Sequence, residues 1–203
     1  MTTASESDPP HIRHRWPDRL FHWVMAATVI ALGVTAFLPI LDVKFDWVPI
    51  HWISGVILGF AIVYHLCRVF AVHGLAEMMP AKSDLTMIRR EVLLQDVPDA
   101  PSGKFDVFQK SYHWAASFTV LVLTVTGFVM LAKIDTPLWA RDPSILSDWN
   151  WGIVYVLHGA GALLLLFLFT LHVYFAFLPE HRTYLVAMIF GPGPEKAHNT
   201  KAR

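Results

Sequence analysis

Four histidines stand at intervals that could do chemistry. His158 and His172 lie fourteen residues apart in Tyr155–Phe177, YVLHGAGALLLLFLFTLHVYFAF, a run that is otherwise almost wholly apolar. Fourteen residues of α-helix advance about 21 Å and complete almost four turns, so the two imidazoles share a face at two depths. His51, in VPIHWISG, opens a second apolar run, and His22, in RLFHWVM, lies near the start of a third. If these runs cross a bilayer, His51 stands at the outer depth of His158 and His22 at the inner depth of His172. Polar side chains at such depths are costly and mark function. Paired imidazoles without carboxylates exclude several chemistries. A di-iron bundle needs glutamates, a proton relay usually includes Asp or Glu, and zinc takes three or four ligands together. A haem b brings four nitrogens of its own and asks only for axial ligands. Two histidines fill both axial positions, close the iron to substrate and leave electron transfer as its task. The pattern predicts two haems b as cofactors. An outer iron would sit between His51 and His158, an inner iron between His22 and His172. His65, fourteen residues after His51, also reaches the inner depth on the ligand face. Spacing alone does not choose between His22 and His65 as the partner of His172.

Further residues fit the same chemistry. Gly33, eleven residues after His22, lies on nearly the same face and leaves space for the outer macrocycle. Gly55, Gly59, Gly159 and Gly161 flank the outer ligands; close helix packing is the competing role for these glycines. Arg19, three residues before His22, and Arg68, three after His65, are cations placed for haem propionates. Snorkelling to the interface is their ordinary alternative. His113, early in a further apolar run, reads as packing or lining a site on the inner side.

The elements that must hold these residues are membrane helices. Of 203 residues, 55% are hydrophobic and 16% charged, with a mean hydropathy of +0.46. A soluble domain of this size would carry more charge. The net charge is zero, which gives no support for a nucleic-acid partner. Cys67 is the single cysteine, which excludes an internal disulfide, a cysteine-ligated cluster and covalent haem attachment through CxxCH. A hydrocarbon core about 30 Å thick needs roughly 20 apolar residues of helix. Four stretches qualify, about 20–41, 48–72, 111–132 and 152–178. The fold class expected is all-α: an integral membrane four-helix bundle binding two haems b, in one domain over residues 14–190. Residues 1–13 read as a disordered lead without a signal-peptide core, and residues 191–203 as a flexible tail.

Thirteen of the sixteen Lys and Arg residues fall in the N-terminal segment, the second-to-third connection with its approaches, and the tail. Only Lys44, Lys133 and Arg141 lie on the other side. The positive-inside rule then puts both termini in the cytoplasm. The segments DLTMIRREVLLQD and PEHRTYLVAMIF read as interfacial helices or as structured loops. Trp47, Trp139, Trp149 and Trp151, near the outer boundary, read as an aromatic belt, with partner contact as the alternative.

FHW at 21–23, IHWISG at 50–55, GKFDVFQK at 103–110 and LHGAGALLLLFLFTLHVYFAF at 157–177 resemble the gamma, cytochrome b subunit of membrane-bound formate dehydrogenases. The hydrogenase cytochrome b subunits are close relatives. The resemblance covers about residues 14–190 and is most specific in the fourth span. It implies four helices holding two haems b, the outer on His51 and His158, the inner on His22 and His172, with His65 outside the ligand set. It also implies a quinone site beside the inner haem, built partly from the approach to the third span. Lys104, Asp106, Gln109 and His113 are its candidates. Asp106 and Phe108 stand where the family pattern has Asn and Gly.

The function expected is that of a membrane anchor and electron conduit in the bacterial inner membrane. It would join an iron–sulfur subunit and a catalytic oxidoreductase on the outer face to membrane quinone, either menaquinone or ubiquinone. The chain is not expected to be catalytic alone. The short outer loops suit partner docking better than a catalytic domain of their own. Two rivals are a stand-alone membrane cytochrome reducing quinone from a small external reductant, and a haem-free transporter or structural membrane protein.

Overall fold

A proline near the start of an apolar run fixes where the first helix begins. Pro17 and Asp18 occupy the first turn of α1, Trp16–Phe37. Proline there leaves no donor unsatisfied, and the acid meets the positive end of the helix dipole. The computed structural model describes residues 15–73, Met79 and 107–191. Beyond α1 it contains α2, Trp47–Arg68, α3, Val107–Met130, and α4, Asp148–Phe177. A short α5 spans Arg182–Phe190. The first four are long and apolar enough to cross a membrane. The lead 1–13, the segment DLTMIRREVLLQD, Lys104, Asp106 and residues 192–203 lie outside the described residues.

The helices α1, α3 and α4 each begin about one turn before the apolar stretches expected for them. Counting apolar residues locates the part that suits lipid, whereas a helix can start in the polar boundary. Proline sets two of the ends. α1 stops before Pro39, which opens a 3₁₀ turn, Pro39–Leu41. Asp42 closes that turn at φ 62°, donating its N–H to the Pro39 carbonyl. α4 stops two residues before Pro179. α2 instead passes into a π-helical turn, Val69–His73.

The chain divides into two units, one of Thr28–Leu168 and one of Met1–Ala27 with Phe169–Arg203. In the first, α2 packs on α3. Beside Leu58, Val120, Trp151 and Leu168 it buries a set of hydroxyls: Thr28, Thr35, Ser54, Thr119 and Thr126. Thr35, Thr119, Thr124 and Thr126 each donate to the carbonyl four residues earlier, at 2.7–2.8 Å, which satisfies the hydroxyl within its own helix. Phe60, Phe118 and Val156 face outwards in mid-span, 73%, 69% and 69% exposed. This inversion of the water-soluble pattern is what a lipid surround permits.

The connection between α3 and α4 is tightly built. The Trp139 indole N–H donates to the Leu131 carbonyl (3.1 Å) and that of Trp151 to the Pro143 carbonyl (2.8 Å). The Lys133 ammonium lies 4.4 Å from the Trp151 ring centre and 5.0 Å from that of Tyr155. Trp151 is 2% exposed, and Trp139 meets Trp52 edge to face. Two of the residues expected in the aromatic belt also have a local role. Trp139 and Trp151 hold the connection together because their N–H groups find carbonyls inside it, while Trp149 stays exposed. Asp142 accepts from both the hydroxyl and the N–H of Ser144, which together hold its carboxyl below the usual carboxylate range. Its stabilising effect is complete above the ordinary carboxylate pKa and fades as pH falls through the lowered one.

In the second unit, α5 is tied to the start of α1. Arg19 Nη2 donates to the Ile189 carbonyl (2.7 Å), and the Trp23 indole N–H points at the Met188 carbonyl (3.4 Å). Ala187 is fully buried, and Gly191, at φ 101°, donates its N–H to the Ala187 carbonyl to close the helix. PEHRTYLVAMIF thus forms a helix docked through backbone acceptors. Removing the best-anchored ring of the outer connection tests how much it holds. Trp151→Ala should cost about 3 kcal/mol or more, seen as a lower thermal midpoint in detergent, with Trp151→Phe losing clearly less.

Candidate functional site

Three pairs of imidazoles come together. His22 on α1 and His172 on α4 have ring centres 6.2 Å apart. His51 on α2 and His158 on α4 stand at 6.3 Å. His65 on α2 and His113 on α3 also stand at 6.3 Å. The first two are the pairs that depth suggested, and they fall in different units. The third was not anticipated. His65, the alternative partner for His172, faces His113, and His22 faces His172.

The three spacings are alike, and each is of the size that a metal held from both sides would give. A metal–imidazole bond of about 2.0 Å, with the ring centre about 1.1 Å behind the ligating nitrogen, separates two trans-axial rings by about 6.2 Å. Among the described residues, no group of three or more His, Cys, Asp or Glu side chains converges. The pairs therefore fit an ion that arrives with most of its own ligands, as haem iron does.

The surroundings of His51 and His158 reinforce that fit. His51 Nδ1 lies 2.8 Å from Thr35 Oγ1, and His158 Nδ1 lies 2.9 Å from Thr126 Oγ1. In both rings Nδ1 is engaged, which leaves Nε2 for an axial bond. Trp47 meets the His51 ring edge to face. A Cβ added to Gly127 would lie 3.4 Å from Cε1 of His158, so this glycine seats the ring directly against α3. Sequence reading missed Thr35, Thr126 and Gly127. Threonine is common in apolar helices, and nothing in its spacing separates these two from Thr119 or Thr124.

The glycines divide by role. A Cβ on Gly33, Gly55 or Gly159 would meet nothing within 4 Å, and Gly159 faces outwards. On Gly59 it would meet the Phe128 ring at 2.8 Å, and on Gly161 the Leu123 side chain at 3.1 Å. These two are packing glycines. Arg19 Nε is buried and finds no hydrogen-bond partner among the described residues. Arg68 lies over the Tyr64 ring at 6.0 Å. Gln109 is exposed at the start of α3, and His113 meets Trp114 edge to face. The Tyr112 hydroxyl, one residue before His113, donates to the Leu168 carbonyl (3.1 Å).

Comparison with known proteins bears on this site. A family model described as prokaryotic cytochrome b561 matches residues 13–191. The chain is also 27% identical over 188 residues to a protein of Haemophilus influenzae named formate dehydrogenase, cytochrome b556 subunit. That match covers 84% of this chain and 72% of the Haemophilus protein.

The division of the glycines carries its own test. Gly161→Val should overpack the contact with Leu123 and cost about 1–3 kcal/mol, read as a fall in thermal midpoint. Gly159→Ala, two residues earlier and facing open space, should leave the midpoint unchanged or raise it.

Proposed function

The chain belongs to the prokaryotic cytochrome b561 family, and from that premise we infer that it is the membrane-anchoring di-haem subunit of a quinone-linked oxidoreductase complex. The observation that carries this is the pair of histidine clamps, at 6.2 and 6.3 Å, on helices able to span a membrane. His51 and His158 would hold one haem and His22 and His172 the other. Haem b, when bound, would supply one-electron redox chemistry, and the four histidines would be the residues that hold it. Gly33 and Gly55 leave space beside the rings. Arg19, with its orphaned Nε, and Arg68, at the end of α2, receive propionates.

The fourteen-residue spacing of His158 and His172 on α4 supports two centres at two depths. The distribution of Lys and Arg supports cytoplasmic termini in a bacterial inner membrane, with the His51–His158 end outside. There the ordered connection between α3 and α4 gives an iron–sulfur subunit and its catalytic partner a firm surface to dock on. The likeness to the Haemophilus subunit supports a formate dehydrogenase-type partner. On the inner side, Gln109 offers an amide donor to a quinone carbonyl, and His113, Lys104 and Asp106 supply polar groups and protons to the same site.

Haem stoichiometry in the purified complex tests the assignment. Wild type should give two haems b per chain, with the reduced bands of bis-histidine iron. His51→Ala or His158→Ala should each leave one haem, as should His22→Ala, while His65→Ala should leave two. A preparation without pigment from cells well supplied with haem would defeat the reading. The partner is tested separately: a tagged chain should bring down an iron–sulfur protein in fixed ratio, and quinone reduction by the isolated chain from a small reductant would favour a stand-alone cytochrome.

A further inference from the structure

We propose that Thr35 and Thr126 are positioning residues that lock His51 and His158 in the Nδ1–H tautomer and lower the reduction potential of the centre they hold. This rests on reading that pair as axial ligands.

The tautomer follows from counting hydrogens. Thr35 Oγ1 carries one hydrogen and has three close neighbours: the carbonyls of Ala31 (2.7 Å) and Leu32 (3.1 Å), and His51 Nδ1 (2.8 Å). Two oxygens at 2.7 Å with no hydrogen between them would repel, so the hydroxyl hydrogen points to Ala31. The contact with His51 is then a hydrogen bond only if Nδ1 carries the proton and donates it. Thr126 has a similar arrangement, with Val122 (2.7 Å), Leu123 (3.2 Å) and His158 Nδ1 (2.9 Å), and there the Leu123 carbonyl also accepts from His158. Thr35 and Thr126 are 2% and 6% exposed, so water does not readily replace either hydroxyl.

Two consequences follow. Nε2 of each ring is left with its lone pair aimed away from the threonine, which is the state a metal ligand requires. An Nδ1–H held by an acceptor also makes the imidazole more electron-rich. The acceptor here is polarised further because its own hydrogen is given to a carbonyl. Electron-rich axial ligands favour the ferric state and lower the potential. The threonines sit on α1 and α3 and the histidines on α2 and α4. The helices that bring no ligand to this centre therefore set its chemistry.

Redox titration with electron paramagnetic resonance on the holo-complex tests this. Thr35→Val and Thr126→Val keep the shape and remove the acceptor, while the serine variants keep it. Each valine variant should raise one of the two midpoint potentials and shift one low-spin ferric signal, leaving the other centre unchanged. The serine variants should behave as wild type. If a valine variant loses one haem that the matching serine variant retains, the positioning role is supported. Unchanged potential and signal in both valine variants would overturn it. Equal loss of haem in valine and serine variants would overturn it too, since that marks packing by the threonine methyl. His51→Ala is the control for the underlying assignment: two haems retained there would remove the axial pair itself, whatever the threonines do.

Discussion

An imidazole inside a lipid-facing bundle must have both ring nitrogens satisfied, and most of this structure follows from that demand. Water is absent from the hydrocarbon core, so a lone nitrogen there costs several kcal/mol. Around His51 and His158 the Nδ1 side is met by threonine hydroxyls from neighbouring helices, at 2.8 and 2.9 Å. The two rings stand with their centres 6.3 Å apart. Buried hydroxyls at Thr28, Thr35, Ser54, Thr119 and Thr126 lie among apolar side chains in the same unit. Outside, where lipid asks only for apolar surface, phenylalanine and valine suffice.

Much of this was legible in residue order. Hydropathy located the spans, because about 20 apolar residues in a row have few other uses. The two histidine pairs could be drawn from depth, since helix rise converts sequence separation into position across a bilayer. Helix ends were less legible. Trp16, Pro17 and Asp148 start helices in the boundary layer, where hydropathy has no preference to report. The roles of the glycines were not legible either. Gly159 and Gly161 are two residues apart, yet one faces open space and the other a leucine. Which is which depends on the neighbouring helix.

Thr35 and Thr126 show a different kind of concealment. Each makes the same bond to its own helix as Thr119 and Thr124 do. That bond is local and therefore predictable. The bond to a histidine on the next helix depends on register between helices, which no local pattern encodes. The His65–His113 encounter was hidden for the same reason, since its members lie on helices separated by a long connection.

The clasp between Arg19 and Ile189 joins groups 170 positions apart in the chain. A membrane protein is inserted from its first helix onward, so α1 enters the bilayer long before α5 is synthesised. Until then the guanidinium must stay hydrated at the interface, held by water or lipid phosphate. Completion of α5 replaces that solvation with a carbonyl and brings the two ends of the described chain together. The start of α1 is thus secured by a segment made much later.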